Sequence, residues 1–169
     1  MSCDLLPSDA PGPHYQGDVF DIIGDGWDLM VAHPPCTDLA VSGAKHFAAK
    51  RADGRQATAL AFVQRLLDAP IERVALENPV SVISTHIRKP DQIIQPWMFG
   101  HEATKTTCLW LKGLAHLTPT NIVGKGARHV TKGGKSLPVW YNLPPSADRW
   151  KIRSATFQGI ADAMAAQWG

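Results

Sequence analysis

Apolar residues along the chain gather in short runs separated by polar turns. "DLMVAH" (28–33) and "RVALEN" (73–78) are rich in Val, Leu and Ala, the pattern of strands buried on both faces of a parallel sheet. Each ends in a polar residue followed by proline, which cannot donate to a ladder and so stops the strand. Between them, "GRQATALAFVQRLLDAP" sets Leu60, Val63 and Leu67 at helical spacing, with Ala57 and Ala61 beside them and Pro70 just beyond. The three segments predict a βαβ crossover. Further on, "IIQPWMF" and "TTCLWLKG" read as an antiparallel strand pair around a loop at Gly100. "RSATFQGIADAMAAQW" reads as a closing helix capped by Ser154 or Thr156. Residues 118–150 show no period and predict a long irregular insertion.

The expected class is therefore α/β, in one domain spanning 1–169. With 169 residues and 44% hydrophobic content, the chain can bury one ordinary core. No stretch approaches 18 uninterrupted apolar residues, and "MSCDLLPSDAPGPHYQGD" has neither a basic segment nor an apolar run. A cytoplasmic protein without a membrane partner is the expectation. Cys3, Cys36 and Cys108 are too few and too irregularly spaced for a disulfide framework or a zinc ribbon, so reduced thiols and no metal are expected. The net charge of +2 says little, but Lys125, Arg128, Lys132 and Lys135 fall within eleven residues that contain no acid. That stretch is either a solvated loop or a contact for phosphates.

In open α/β sheets, ligands bind beyond the carboxyl ends of the strands. The two strand ends here are "HPPC" and "ENP", so the nucleophile Cys36 and the carboxylate Glu77 are expected at one rim of the sheet. His33 is read as a hydrogen-bonding partner that orients this loop. The zinc-deaminase pairing of H-x-E with P-C-x-x-C is absent. "TKGGKS" is not a phosphate loop, because His129 stands where the first glycine is required. Outside its context a lone cysteine is more often a small core residue, and Cys3 and Cys108 are read that way.

The order of these motifs resembles the DNA cytosine-5 methyltransferases, and most closely their small phage-encoded members. "SCDLLP" looks like the acidic motif that holds the cofactor ribose, through Asp4, and "QGDV" like the one beside the adenine, through Asp18. "PPCTDLAVSG" is similar to the nucleophile loop almost position for position, with Cys36 as nucleophile, Pro34 against the cofactor and Ser42 toward the nucleic acid. "ENP" supplies Glu77 and Asn78, with Pro79 where the family more often has Val. "GHEATKTTCLWL" takes the place of the basic motif with Lys105 alone, where several arginines are usual, and "ATFQGIADAMA" resembles the last helix.

The resemblance covers nearly the whole chain and rests on the ordered set. It implies a Rossmann-like, three-layer αβα sheet with an antiparallel C-terminal strand pair, N-terminally truncated so that the first strand and its glycine loop are missing. It also implies S-adenosylmethionine as cofactor, with binding weak or lost, and DNA as partner, in a host cytoplasm if the chain is phage-encoded. In that chemistry a thiolate adds at C6 of cytosine while a carboxyl group serves N3. "SGAKHFAAKRADGR", with Lys45, Lys50, Arg51 and Arg55, is expected to be a lid against phosphate, and Trp140, Tyr141 and Trp150 to stack on bases. Without a central strand "DLMVAH" has an open edge, so a homodimer, a completing chain or an altered sheet order is expected. The competing expectation is an inactive descendant that binds nucleic acid or interferes with a host enzyme, with Asp4 and Asp18 as ordinary turn acids.

Overall fold

The computed structural model describes residues 1–139, 143–146 and 149–169; Trp140, Tyr141 and the side chain of Trp150 lie outside the described residues. The first half of the chain forms β1 (Ser2–Asp4), β2 (His14–Gln16), β3 (Leu29–Ala32), α1 (Phe47–Ala52), α2 (Arg55–Leu67) and β4 (Arg73–Asn78). The second half forms α3 (Ile83–His86), β5 (Gln92–Ile94), β6 (Thr107–Lys112), β7 (Arg128–Val130), β8 (Ser136–Pro138), α4 (Arg149–Ser154) and α5 (Gln158–Trp168).

The fold is mixed α/β. Its main sheet has the order β3-β4-β6-β5, and β1-β2 and β7-β8 form two small separate sheets. β3 pairs parallel with β4, Leu29 opposite Arg73, and α2 lies between them in the chain, which is the crossover expected from the apolar pattern. β4–β6 and β6–β5 are antiparallel. Side chains of β4 and β6 alternate between the two faces. Leu76, Cys108 and Trp110 pack with Val63, Leu66 and Leu67 of α2, whereas Ala75, Leu109 and Leu111 pack with Ile160, Ala163, Met164 and Trp168 of α5. Helices thus cover the sheet from both sides.

Three expectations need correcting. The apolar run at 93–99 does not stay extended: β5 stops at Ile94, and Pro96, which has no N–H to give a ladder, opens a tight turn over Pro96–Met98. The segment 118–150 is not wholly irregular, because β7 and β8 close a hairpin in which Thr131 donates to the Lys135 carbonyl across a turn with Gly134 at φ +79°. The closing helix is two helices, and neither Ser154 nor Thr156 caps α5. Phe157 occupies the cap position, where no side chain makes the capping hydrogen bond, and the Gly159 N–H donates instead to His101 Nε2 at 2.9 Å.

Candidate active site

The loop after β3 is fastened on three sides. Asn78, the last residue of β4, is 1% exposed and donates from Nδ2 to the Pro34 carbonyl at 2.9 Å. The Cys36 carbonyl accepts from the N–H groups of Leu39 and Ala40 at 3.0 and 2.8 Å, which folds the loop into a turn with the thiol at its head. Downstream, Val41 donates to Val80 and Val82 to Leu39, each at 3.0 Å, so the loops following β3 and β4 are stitched together. The helices hold the third side. Lys50, 7% exposed, donates to the Thr37 carbonyl and pairs with Asp38 at 3.3 Å, and Gln56 donates to the Asp38 carbonyl at 3.2 Å.

Cys36 and Glu77 therefore sit at adjacent strand ends, as expected from the sequence. The His33 Nδ1 stands 3.2 Å from Glu77 Oε2, so His33 partners the carboxylate itself rather than the loop backbone. Lys105 and Arg153 complete the cluster, since both charges act on the Cys36 thiol. Lys105 Nζ donates to the carbonyls of Arg153 and Ala155 at 2.8 and 3.2 Å, anchoring the end of α4 and the residues after it. Cys36 is exposed as a residue, yet the atoms packed around it desolvate its thiol and push it up from its ordinary value, and the neighbouring Glu77 carboxylate pushes it further; a backbone hydrogen bond, Lys105 and Arg153 oppose this. Burial pulls the Lys105 ammonium down, against the attraction of Glu77 and Cys36. At neutral pH the site holds a thiol.

Beside this cluster opens a cavity of about 590 Å³ between β1 and β3. Asp4, Asp18 and Pro34, the three residues expected to meet a cofactor, all line it, together with His33, Trp27, Phe62, Ile22 and Leu66. Asp4 accepts from the Leu6 N–H and Asp18 from the Phe20 N–H, both with Oδ1. The lining suits the nucleoside half of S-adenosylmethionine: apolar walls for the base and carboxylates for ribose hydroxyls. Among the described residues this lining holds no Lys or Arg.

The residues expected at nucleic acid separate into groups. Lys105 is drawn into the thiol cluster. Ser42, Lys45 and Arg51 are exposed on the segment after the nucleophile loop, and Arg55 pairs at the surface with Asp53 at 2.7 Å, but Lys50 is buried and is not placed to meet phosphate. Lys50 has a single buried ammonium acting as a tie for the loop. Arg128 braces the hairpin by donating to Ser136, whereas Lys132 and Lys135 are exposed near its turn. Lys125 lies 5.4 Å from the Trp97 ring centre, and its carbonyl accepts from Thr104 at 2.7 Å, which brings the start of the basic stretch beside Lys105. Sequence reading missed Arg153; its only signal was one more cation ahead of the last helix.

Among the described residues no group of three or more His, Cys, Asp or Glu is placed to hold a metal ion, and no helix is long and apolar enough to cross a membrane. No protein-family model, curated protein or solved structure gives a significant match to the chain.

Proposed function

We propose that the chain is a cytosine-5 methyltransferase acting on DNA, with a Rossmann-like, three-layer αβα core. The observation that carries the reading is the meeting of Cys36 and Glu77 at neighbouring strand ends, beside a cavity lined by Asp4, Asp18 and Pro34. Helices on both faces of the sheet and the antiparallel β5–β6 pair support the same architecture.

The chemistry follows from the charges. A cytosine brought out of the stack, at a cost of a few kcal/mol, presents C6 to the Cys36 sulfur and N3 to Glu77. The Glu77 carboxyl group serves N3 of the base, while Lys105 and Arg153 oppose the upward shift of the Cys36 pKa and favour the thiolate, whose proton passes to water. The sulfur bonds to C6 and makes C5 nucleophilic. S-adenosylmethionine, when bound, supplies the electrophilic methyl group. Loss of the C5 proton to a base then expels the Cys36 thiolate and restores the ring. Lys125, Lys132 and Lys135, with Ser42, Lys45 and Arg51, supply contacts to the phosphates.

The decisive experiment is calorimetric titration with S-adenosylmethionine, followed by methyl transfer to cytosine-containing DNA. Wild type is expected to bind and transfer, Asp18→Ala to bind more weakly, and Cys36→Ala to bind without transfer. The absence of Lys and Arg from the cavity lining among the described residues favours one competing reading, an inactive protein that binds nucleic acid. No heat with the cofactor, together with salt-sensitive DNA binding that survives Cys36→Ala, selects it.

A further inference from the structure

His33 carries a polar atom that no described residue uses. β3 and β4 run parallel with Ala32 opposite Leu76, so His33 and Glu77 follow as the next pair, where the two strands end. Across that step His33 Nδ1 stands 3.2 Å from Glu77 Oε2, with the histidine side chain 42% exposed and the carboxylate 19%. A carboxylate accepts and cannot donate, so Nδ1 carries the proton in this contact. In the neutral ring the lone pair is then on Nε2, and Nε2 bonds to nothing among the described residues. At such exposure the ring is not needed to fill the core. His33 also lines the 590 Å³ cavity, and Pro34 and Pro35 continue that wall toward Cys36. Of the residues lining it, His33 alone bonds Glu77 among the described residues. The Asn78 bond to the Pro34 carbonyl pins the backbone one residue further on, so the ring starts from a fixed base.

We propose that His33 is a positioning residue with two contacts: its Nδ1–H holds Glu77 toward the base, and its Nε2 accepts a hydrogen bond from the ammonium group of S-adenosylmethionine. The inference rests on the proposed function and deepens it. An acceptor beside the cavity calls for a donor on the occupant. With the nucleoside half of the cofactor given to Asp4, Asp18 and the apolar walls, the donor left is the ammonium of its methionine part. The bond made by one ring nitrogen fixes the role of the other. Filling the cavity therefore steadies the imidazole, and the imidazole steadies the carboxylate that serves N3. Cofactor and base are coupled through a single side chain, and such coupling is reciprocal.

Asparagine and glutamine separate the two contacts, because an Asn amide reaches about as far as Nδ1 and a Gln amide about as far as Nε2. The test is calorimetry on the full chain with S-adenosylhomocysteine and with 5′-methylthioadenosine, which lacks the amino-acid part, followed by methyl transfer to DNA at saturating S-adenosylmethionine. His33→Asn is expected to weaken S-adenosylhomocysteine roughly tenfold, the size of one hydrogen bond, and to leave 5′-methylthioadenosine unchanged. His33→Gln is expected to bind both compounds as the wild type does but to lower kcat roughly tenfold, because Glu77 is no longer held. A variant that loses binding and kcat together, or neither, overturns the inference. So does His33→Asn weakening 5′-methylthioadenosine as much as S-adenosylhomocysteine. Wild type that binds and transfers while the variants show the wrong split defeats this inference alone. No heat from wild type with S-adenosylhomocysteine defeats the reading of the cavity itself, and the inference with it.

Discussion

Asn78 shows what a single side chain can fix. Its amide spans from the end of β4 to the Pro34 carbonyl, and its Oδ1 is buried without a partner among the described residues. It acts through the loop, so it is a positioning residue. Asn78→Ala is expected to lower unfolding stability by about 1–3 kcal/mol in urea denaturation, by orphaning the Pro34 carbonyl. It should also change the alkylation rate of Cys36, which a purely structural residue elsewhere would leave alone. For the thiol itself the direction is set by charge. Because burial and Glu77 both raise its pKa, iodoacetamide labelling of Cys36 is expected to keep accelerating above pH 9. Glu77→Gln removes the second cause, lowers the midpoint and speeds labelling at pH 7.5, roughly tenfold for each unit the pKa falls. Peptide mapping isolates the site, since Cys108 is buried and pushed up to about 11. A slower Glu77→Gln variant would show that the carboxylate activates the thiol.

Among the elements, α5 depends on a contact that no local pattern announces. A Cβ on Gly159 would stand 1.9 Å from the Phe99 carbonyl oxygen, so the first turn of the helix packs backbone against backbone. Gly159→Ala is expected to cost about 1–3 kcal/mol or more by overpacking, read as a lower urea midpoint. The gain in helix propensity from the substitution runs the other way and is smaller. This site also marks where sequence reading stops. The β3–α2–β4 crossover was legible because strand, helix and strand each carry their own period and end at their own proline or turn. Cap selection was not, because the donor at Gly159 is satisfied by His101, 58 positions away. Lys50 misled for the same reason. Its neighbours in sequence suggest a solvated basic face, while Thr37 and Asp38, brought round by the nucleophile loop, draw its ammonium inward.

For the whole molecule, the meeting of Cys36 with Glu77 was legible from a rule about strand ends, but the open slot between β1 and β3 needed the sheet order. The basic hairpin works at this scale as well. If Lys132 and Lys135 each neutralise one phosphate, replacing both by Ala should reduce the slope of log affinity for DNA against log salt by roughly 2. An unchanged slope would place the nucleic acid elsewhere. Lys105 adds a consequence in time. Its ammonium is held by the carbonyls of Arg153 and Ala155, and Arg153 itself helps to offset the charge of Glu77 at Cys36. During synthesis, the cysteine emerges from the ribosome more than a hundred residues before these partners do. In the nascent chain neither burial nor Glu77 yet acts on Cys36, so the thiol keeps its ordinary pKa until folding quietens it at rest.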